Sequence, residues 1–140
     1  MYVHFDYAHK ASFQTADEAP YLKEYAQLHV VNQRWLEAEA TSTLSMTDVA
    51  WSGTYLALDG SDAESDALTT TAMNIESPSR FVEFKVTDAV KDWASGDVAN
   101  NGLLMKVRYE NNNGRDLRFY SNASEDTTMH AFINVICKES

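Results

Sequence analysis

A chain of 140 residues with 44% hydrophobic and 11% aromatic content holds enough apolar material for one domain with a proper core, which excludes wholesale disorder. A formal net charge of −10 argues against a nucleic-acid partner, because an acidic surface repels phosphate backbones; it suits cations, neutral glycans or a basic protein, or serves solubility alone. No apolar run approaches the roughly 20 residues of a membrane helix, and a single cysteine, Cys137, rules out an intrachain disulfide and a zinc cluster.

Tyr2 to Tyr7 alternate weakly and read as a strand. Residues 8–20 are polar, close on Pro20 and read as a loop. Tyr25 to Gln33 reads as a second strand, with Ala26, Leu28, Val30 and Asn32 alternating against Gln27, His29 and Val31; a helix over Leu22 to Leu28 is the alternative. Ala38 to Met46 predicts another strand, because threonine suits a pleated surface. Trp51 to Leu58 predicts a turn followed by a strand. Asp59 to Asp66 is an exposed acidic loop, and Leu68 to Ile75 a short strand closed by Pro78.

Phe81 to Leu104 carries the most information. Phe81, Glu83, Lys85 and Thr87 fall on one face and Val82, Phe84 and Val86 on the other, which predicts a strand. The period then changes: Ala89, Val90 and Trp93 form the apolar face of a short helix over about Asp88-Ala94. Thr87 or Asp88 is placed to cap it and Gly96 to end it. Trp93 reads as a core plug. Asn101-Gly102 is a turn dipeptide, and Leu103 to Val107 starts the next strand.

Beyond it, Tyr109 to Arg115 reads as a hairpin loop with Asn113-Gly114 at its tip. Leu117 to Tyr120 alternates, and Ala131 to Cys137 reads as a closing strand. Short strands, turns and one short helix together predict an all-β fold: an antiparallel β-sandwich of jelly-roll type, as one domain over residues 1–140.

The strand ending Val86-Thr87-Asp88, the run Ala89-Val90-Lys91-Asp92-Trp93, and Asn101-Gly102-Leu103-Leu104 resemble the DNRLRE family of secreted β-sandwich domains, which is related to disaggregatase-type carbohydrate-binding modules. Phe5-Asp6, Ala26 to Val31 and the ending from Arg118 extend the resemblance over most of the chain. The central segment is also similar to the arm region of transforming-growth-factor-β family propeptides. The family has an extra strand region before the counterpart of Phe5-Asp6, and this chain lacks it. Either the domain is truncated or another segment fills that edge; an open edge invites strand addition from a partner.

The resemblance implies a non-catalytic, extracellular, secreted module whose partner is a polysaccharide or a glycoprotein glycan. The alternative is a structural, adhesive or propeptide-like domain that binds a protein. Sugar C–H faces stack on aromatic rings while hydroxyls need polar side chains; Trp35, Trp51, Tyr55 and Tyr109 are the candidate platform, with Tyr120 also available, and burial in the core is the competing reading for each. Asp59, Asp62, Glu64 and Asp66 form a candidate Ca2+ loop of hard oxygen ligands, without EF-hand spacing and against the simpler reading of a solvated acidic loop. Asn111 to Asn113 with Asp116 is a weaker second set. The four histidines have no ligand spacing and read as surface residues.

Cys137 has two readings, a thiol buried on the closing strand, which apolar Val135-Ile136 favour, or an intermolecular link that makes a dimer. Asn122-Ala123-Ser124 is an N-glycosylation sequon. Met1 to His4 lacks the basic start and apolar core of a signal peptide, which fits a mature segment whose Met1 need not be native. No nucleophile elbow, phosphate loop or His-Glu-x-x-His motif marks an enzyme.

Overall fold

The computed structural model describes residues 1–6, 23–74, 80–108 and 118–137. Among these residues, eight strands and one α-helix come in chain order: β1 (Tyr2–Asp6), β2 (Lys23–Val30), β3 (Leu44–Met46), β4 (Val49–Ala50), β5 (Thr69–Asn74), β6 (Arg80–Glu83), α1 (Thr87–Ser95), β7 (Leu103–Val107) and β8 (Arg118–Phe119), then a 3-10 turn at Thr127–Met129. The fold is mostly strand, in small sheets, with one short helix. The sheets run in the orders β6-β1-β8, β5-β2-β7 and β3-β4. β1 pairs antiparallel with both neighbours, Val3 opposite Val82 and Phe5 opposite Phe119. The predicted loops at 8–20 and 109–115, and with them Tyr109, lie outside the described residues.

Two compact units emerge. One comprises Met1–Ala26, Thr71–Lys85 and Val107–Ser140, the other Gln27–Thr70 and Val86–Lys106. In the first, Val82 and Phe84 are buried while Phe81, Glu83 and Lys85 are exposed, so the period-two pattern is realised residue by residue. The side-chain hydroxyl of Thr71 donates to the Glu83 carbonyl (2.9 Å), and the Arg108 guanidinium lies over the Tyr25 ring, 5.8 Å from its centroid.

In the second unit, α1 starts from Val86 and not from a side-chain cap. Thr87 and Asp88, expected to cap it, lie inside its first turn, where Asp88 still suits the positive end of the helix dipole. Gly96 closes the helix at φ 81°, its N–H directed at the Trp93 carbonyl, and Asp97 N–H bonds to Asp92 O at 3.1 Å. Ala89 is buried; Trp93 is half-buried, with its indole nitrogen shielded from solvent.

The strand predicted over Phe81 to Thr87 ends at Glu83 and that over Tyr25 to Gln33 at Val30, and three further predicted strands are shortened or replaced. Over Ala38 to Met46 only Leu44–Met46 is strand, because the Thr41 hydroxyl accepts the N–H groups of Thr43 and Leu44 and holds a turn instead. β3 and β4 then form a tight antiparallel hairpin, with Asp48 at φ 62° in the turn. Trp51 to Leu58 holds no strand; Ser52 and Ala57 give their N–H groups to the Asp62 carboxylate and not to a ladder. Ala131 to Cys137 is likewise not a strand, having only a lone bridge at Phe132. Alternation supplies one side of a ladder, but a strand also requires a neighbouring edge. Cys137 is consequently exposed, not the buried thiol its apolar neighbours suggest.

Candidate functional site

The most highly bonded part of the second unit surrounds Asp62. Its side chain is fully buried, and both carboxylate oxygens take the Ser52 N–H at 3.0 Å while Oδ2 also takes the Ala57 N–H at 2.8 Å. Its backbone carbonyl accepts the N–H groups of Asn32 (2.8 Å) and Gln33 (3.1 Å). One residue thus fastens both ends of the 52–57 loop to the segment just after β2. Burial and the nearby Asp59 charge act to raise the Asp62 pKa, but the N–H groups of Ala57 and Ser52 outweigh them and hold it below the ordinary carboxylate value.

Asn32 and Gln33 extend this scaffold. Asn32 Nδ2 donates to the Gly60 carbonyl (2.9 Å) and to Glu64 Oε1 (2.8 Å). Gln33 Nε2 donates to Ser45 Oγ (2.9 Å) and Ala50 O (3.0 Å), which ties the β3-β4 hairpin to the same point. The Asn101-Gly102 turn docks from the other direction: Asn101 Nδ2 donates to Asn32 O (2.7 Å), and Val31 N–H to Gly102 O (3.2 Å). Gly102 takes φ 88° there, a conformation glycine adopts without steric cost.

This frame presents Trp35. The indole N–H is given to the Asn101 carbonyl at 2.7 Å, yet the residue stays 38% exposed. Its one polar side-chain group is therefore engaged by protein while the residue stays partly open to solvent. Tyr55 is 63% exposed on the loop fastened by Asp62. Gly53 permits that loop's tight path, since a Cβ there would meet the Tyr55 carbonyl at 3.0 Å. Trp51 does not belong to an open platform. It is 7% exposed, its indole N–H goes to Thr41 O (3.0 Å) and its backbone N–H to Thr43 O (3.2 Å), so it packs the hairpin from inside. Tyr120 is half-buried.

In the acidic loop the carboxylates of Asp59, Asp62 and Glu64 are bonded within the protein. Asp62 turns inward to backbone N–H groups, Asp59 Oδ1 accepts the hydroxyl and the N–H of Ser61, and Glu64 accepts from Asn32. Ser61 thereby holds the Asp59 pKa below the ordinary value. Among the described residues, no three His, Cys, Asp or Glu side chains converge as a metal-binding set. The second candidate set, at Asn111 to Asn113 and Asp116, lies outside the described residues.

Two roles were not legible in sequence. Asp62 is one acid among several in a polar loop, and nothing local marks it as the buried one. His29, expected at the surface, is buried, with Nδ1 2.8 Å from Glu64 O. Its position in the central strand of a three-stranded sheet gives the reason: Ala26, Leu28, His29 and Val31 are all buried, so β2 and its extension are covered on both faces.

No family model matches the chain, and no curated protein and no solved structure matches it. Among the described residues, no helix is long and apolar enough to cross a membrane. With one cysteine, an intramolecular disulfide cannot form.

Proposed function

We propose that this chain is a non-catalytic carbohydrate-binding module, a secreted β-sandwich of jelly-roll type akin to the DNRLRE family, that stacks a glycan on Trp35. The observation that carries the reading is the Trp35 indole. Its N–H is bound to Asn101, the residue remains 38% exposed, and hydrogen bonds tie its surroundings together before any ligand arrives. A pre-ordered aromatic face loses little conformational entropy on binding and meets the C–H face of a sugar ring. The net charge of −10 favours neutral over acidic glycans. Tyr55 is a second exposed ring on the same unit.

Titration of neutral and acidic polysaccharides, followed by tryptophan fluorescence, tests this. A saturable shift with a neutral glycan, lost in Trp35→Phe less than in Trp35→Ala, supports the stacking role. A flat response across the panel, from protein shown to be folded, rejects it.

A protein-binding role is the second reading, and a separate observation favours it. In the other unit, Phe132 (48% exposed), Ile133 (43%), Val135 (57%) and Ile136 (84%) present apolar side chains to solvent. Phe132 meets Phe81 edge-on at 5.6 Å between ring centroids, which joins the 38% exposed Phe81 to that surface. Retention of this protein on an immobilised basic partner, sensitive to Ile136→Asp and not to Trp35→Ala, separates this reading from the first.

A further inference from the structure

We infer that Asn122 is an acceptor for N-linked glycosylation, with Ser124 as the hydroxyl residue of its sequon. Asn122-Ala123-Ser124 satisfies the sequence rule, which alone is weak because such triplets arise by chance. The local structure adds what sequence does not supply. Asn122 and Ala123 are the central residues of a turn, and both are exposed. The turn is closed by Ser124 N–H donating to Ser121 O (3.1 Å) and Ala123 N–H donating to Ser121 Oγ (3.2 Å).

The segment after the turn carries further local bonds. Asp126 Oδ1 accepts the N–H and the hydroxyl of Thr128 at 3.0 and 2.6 Å and starts the 3-10 turn, and the His130 ring Nε2 bonds to Ser124 O at 2.8 Å. These turn bonds of 121–130 are local ones, and none of the hydrogen bonds among the described residues uses the Asn122 side chain. A glycan on Asn122 displaces no such bond and enters no packed core. That matters because a sugar added during synthesis must be tolerated by the final fold.

The reaction needs a co-substrate of one chemical class, an oligosaccharide linked through diphosphate to a polyprenyl lipid. Asn122 Nδ2 forms a bond to C1 of the first sugar. The bond from C1 to the diphosphate oxygen breaks, the diphosphate leaves with the electron pair, and a base of the transferase takes the amide proton.

The test directs the full chain into the secretory pathway of a eukaryotic cell and measures the intact mass of cell-retained and secreted protein. The expected result is a mass increment of one core glycan that peptide-N-glycosidase removes, converting Asn122 to Asp. Asn122→Gln and Ser124→Ala should each abolish it, and Ser124→Thr should retain or raise occupancy. Ser124→Ala leaves Asn122 in place, so loss there identifies the sequon and not a folding defect. An unmodified mass in both fractions, or an increment that survives Ser124→Ala, overturns the assignment.

Discussion

Trp35 donates its indole N–H to the carbonyl of Asn101, 66 residues later, at 2.7 Å. The same Asn101 side chain donates to Asn32 O at 2.7 Å, so the turn that anchors the ring is itself anchored to the end of β2. The tryptophan is thus tied to the protein by its N–H while the residue stays 38% exposed. The proposed ligand contact and the packing role therefore fall on different tryptophans, Trp35 and Trp51.

Trp35→Ala and Trp51→Ala should separate those roles. Trp51→Ala removes a buried side chain and is expected to cost about 3–5 kcal/mol in urea unfolding. Trp35→Ala should cost clearly less and should weaken glycan binding at least tenfold, about 1.4 kcal/mol. Equal stability losses with unchanged binding would remove Trp35 from the proposed site.

Asp62→Asn replaces one accepting oxygen with an amide donor where two backbone N–H groups converge. The expected loss is about 1–3 kcal/mol, seen as a lower urea midpoint. Tyr55 lies between the two anchored residues, so amide exchange at 52–57 should accelerate in the variant. Unchanged exchange there would show that the carboxylate does not fasten the loop.

The same carboxylate sets an acid limit. The folded-state pKa of Asp62 lies below its ordinary value of 3.8, despite the opposing effect of burial. Its contribution is therefore fully present above about pH 4 and is lost as the pH falls through the lower, folded-state value. Stability measured from pH 5 downward should decline in the wild type, and the decline should be shallower in Asp62→Asn. Asp59 and Glu39 shift in the same direction, but both are solvent-exposed and contribute little.

Cys137 is exposed, so its thiol should react with a thiol reagent in native buffer at nearly the rate seen in urea. Cys137→Ser should change stability by no more than about 0.5 kcal/mol. Protection of the native thiol by more than tenfold would restore the buried reading.

Gly102→Ala tests the anchoring turn. A Cβ at Gly102 would stand 3.8 Å from Trp35 Nε1, an ordinary contact, but the backbone sits at φ 88°. The cost should be about 1–2 kcal/mol, from conformation alone. Trp35 emission should shift as the turn loosens; unchanged emission would mean that the ring is held without it.

Periodic and local features were legible in the chain alone. The alternation from Phe81 to Val86, the change of period into α1, and the stops at Gly96 and Gly102 each depend on neighbours a few residues apart. The aromatic candidates were legible as types, not as positions: composition does not distinguish exposed Trp35 from buried Trp51. Tertiary structure decided the rest. Asp62 became the buried hub because N–H groups from Ser52 and Ala57 converge on it, and that convergence outweighs desolvation of its charge. Trp51 to Leu58 and Ala131 to Cys137 carried strand-like sequence and formed no strand, because a ladder forms between two edges and one segment specifies only its own.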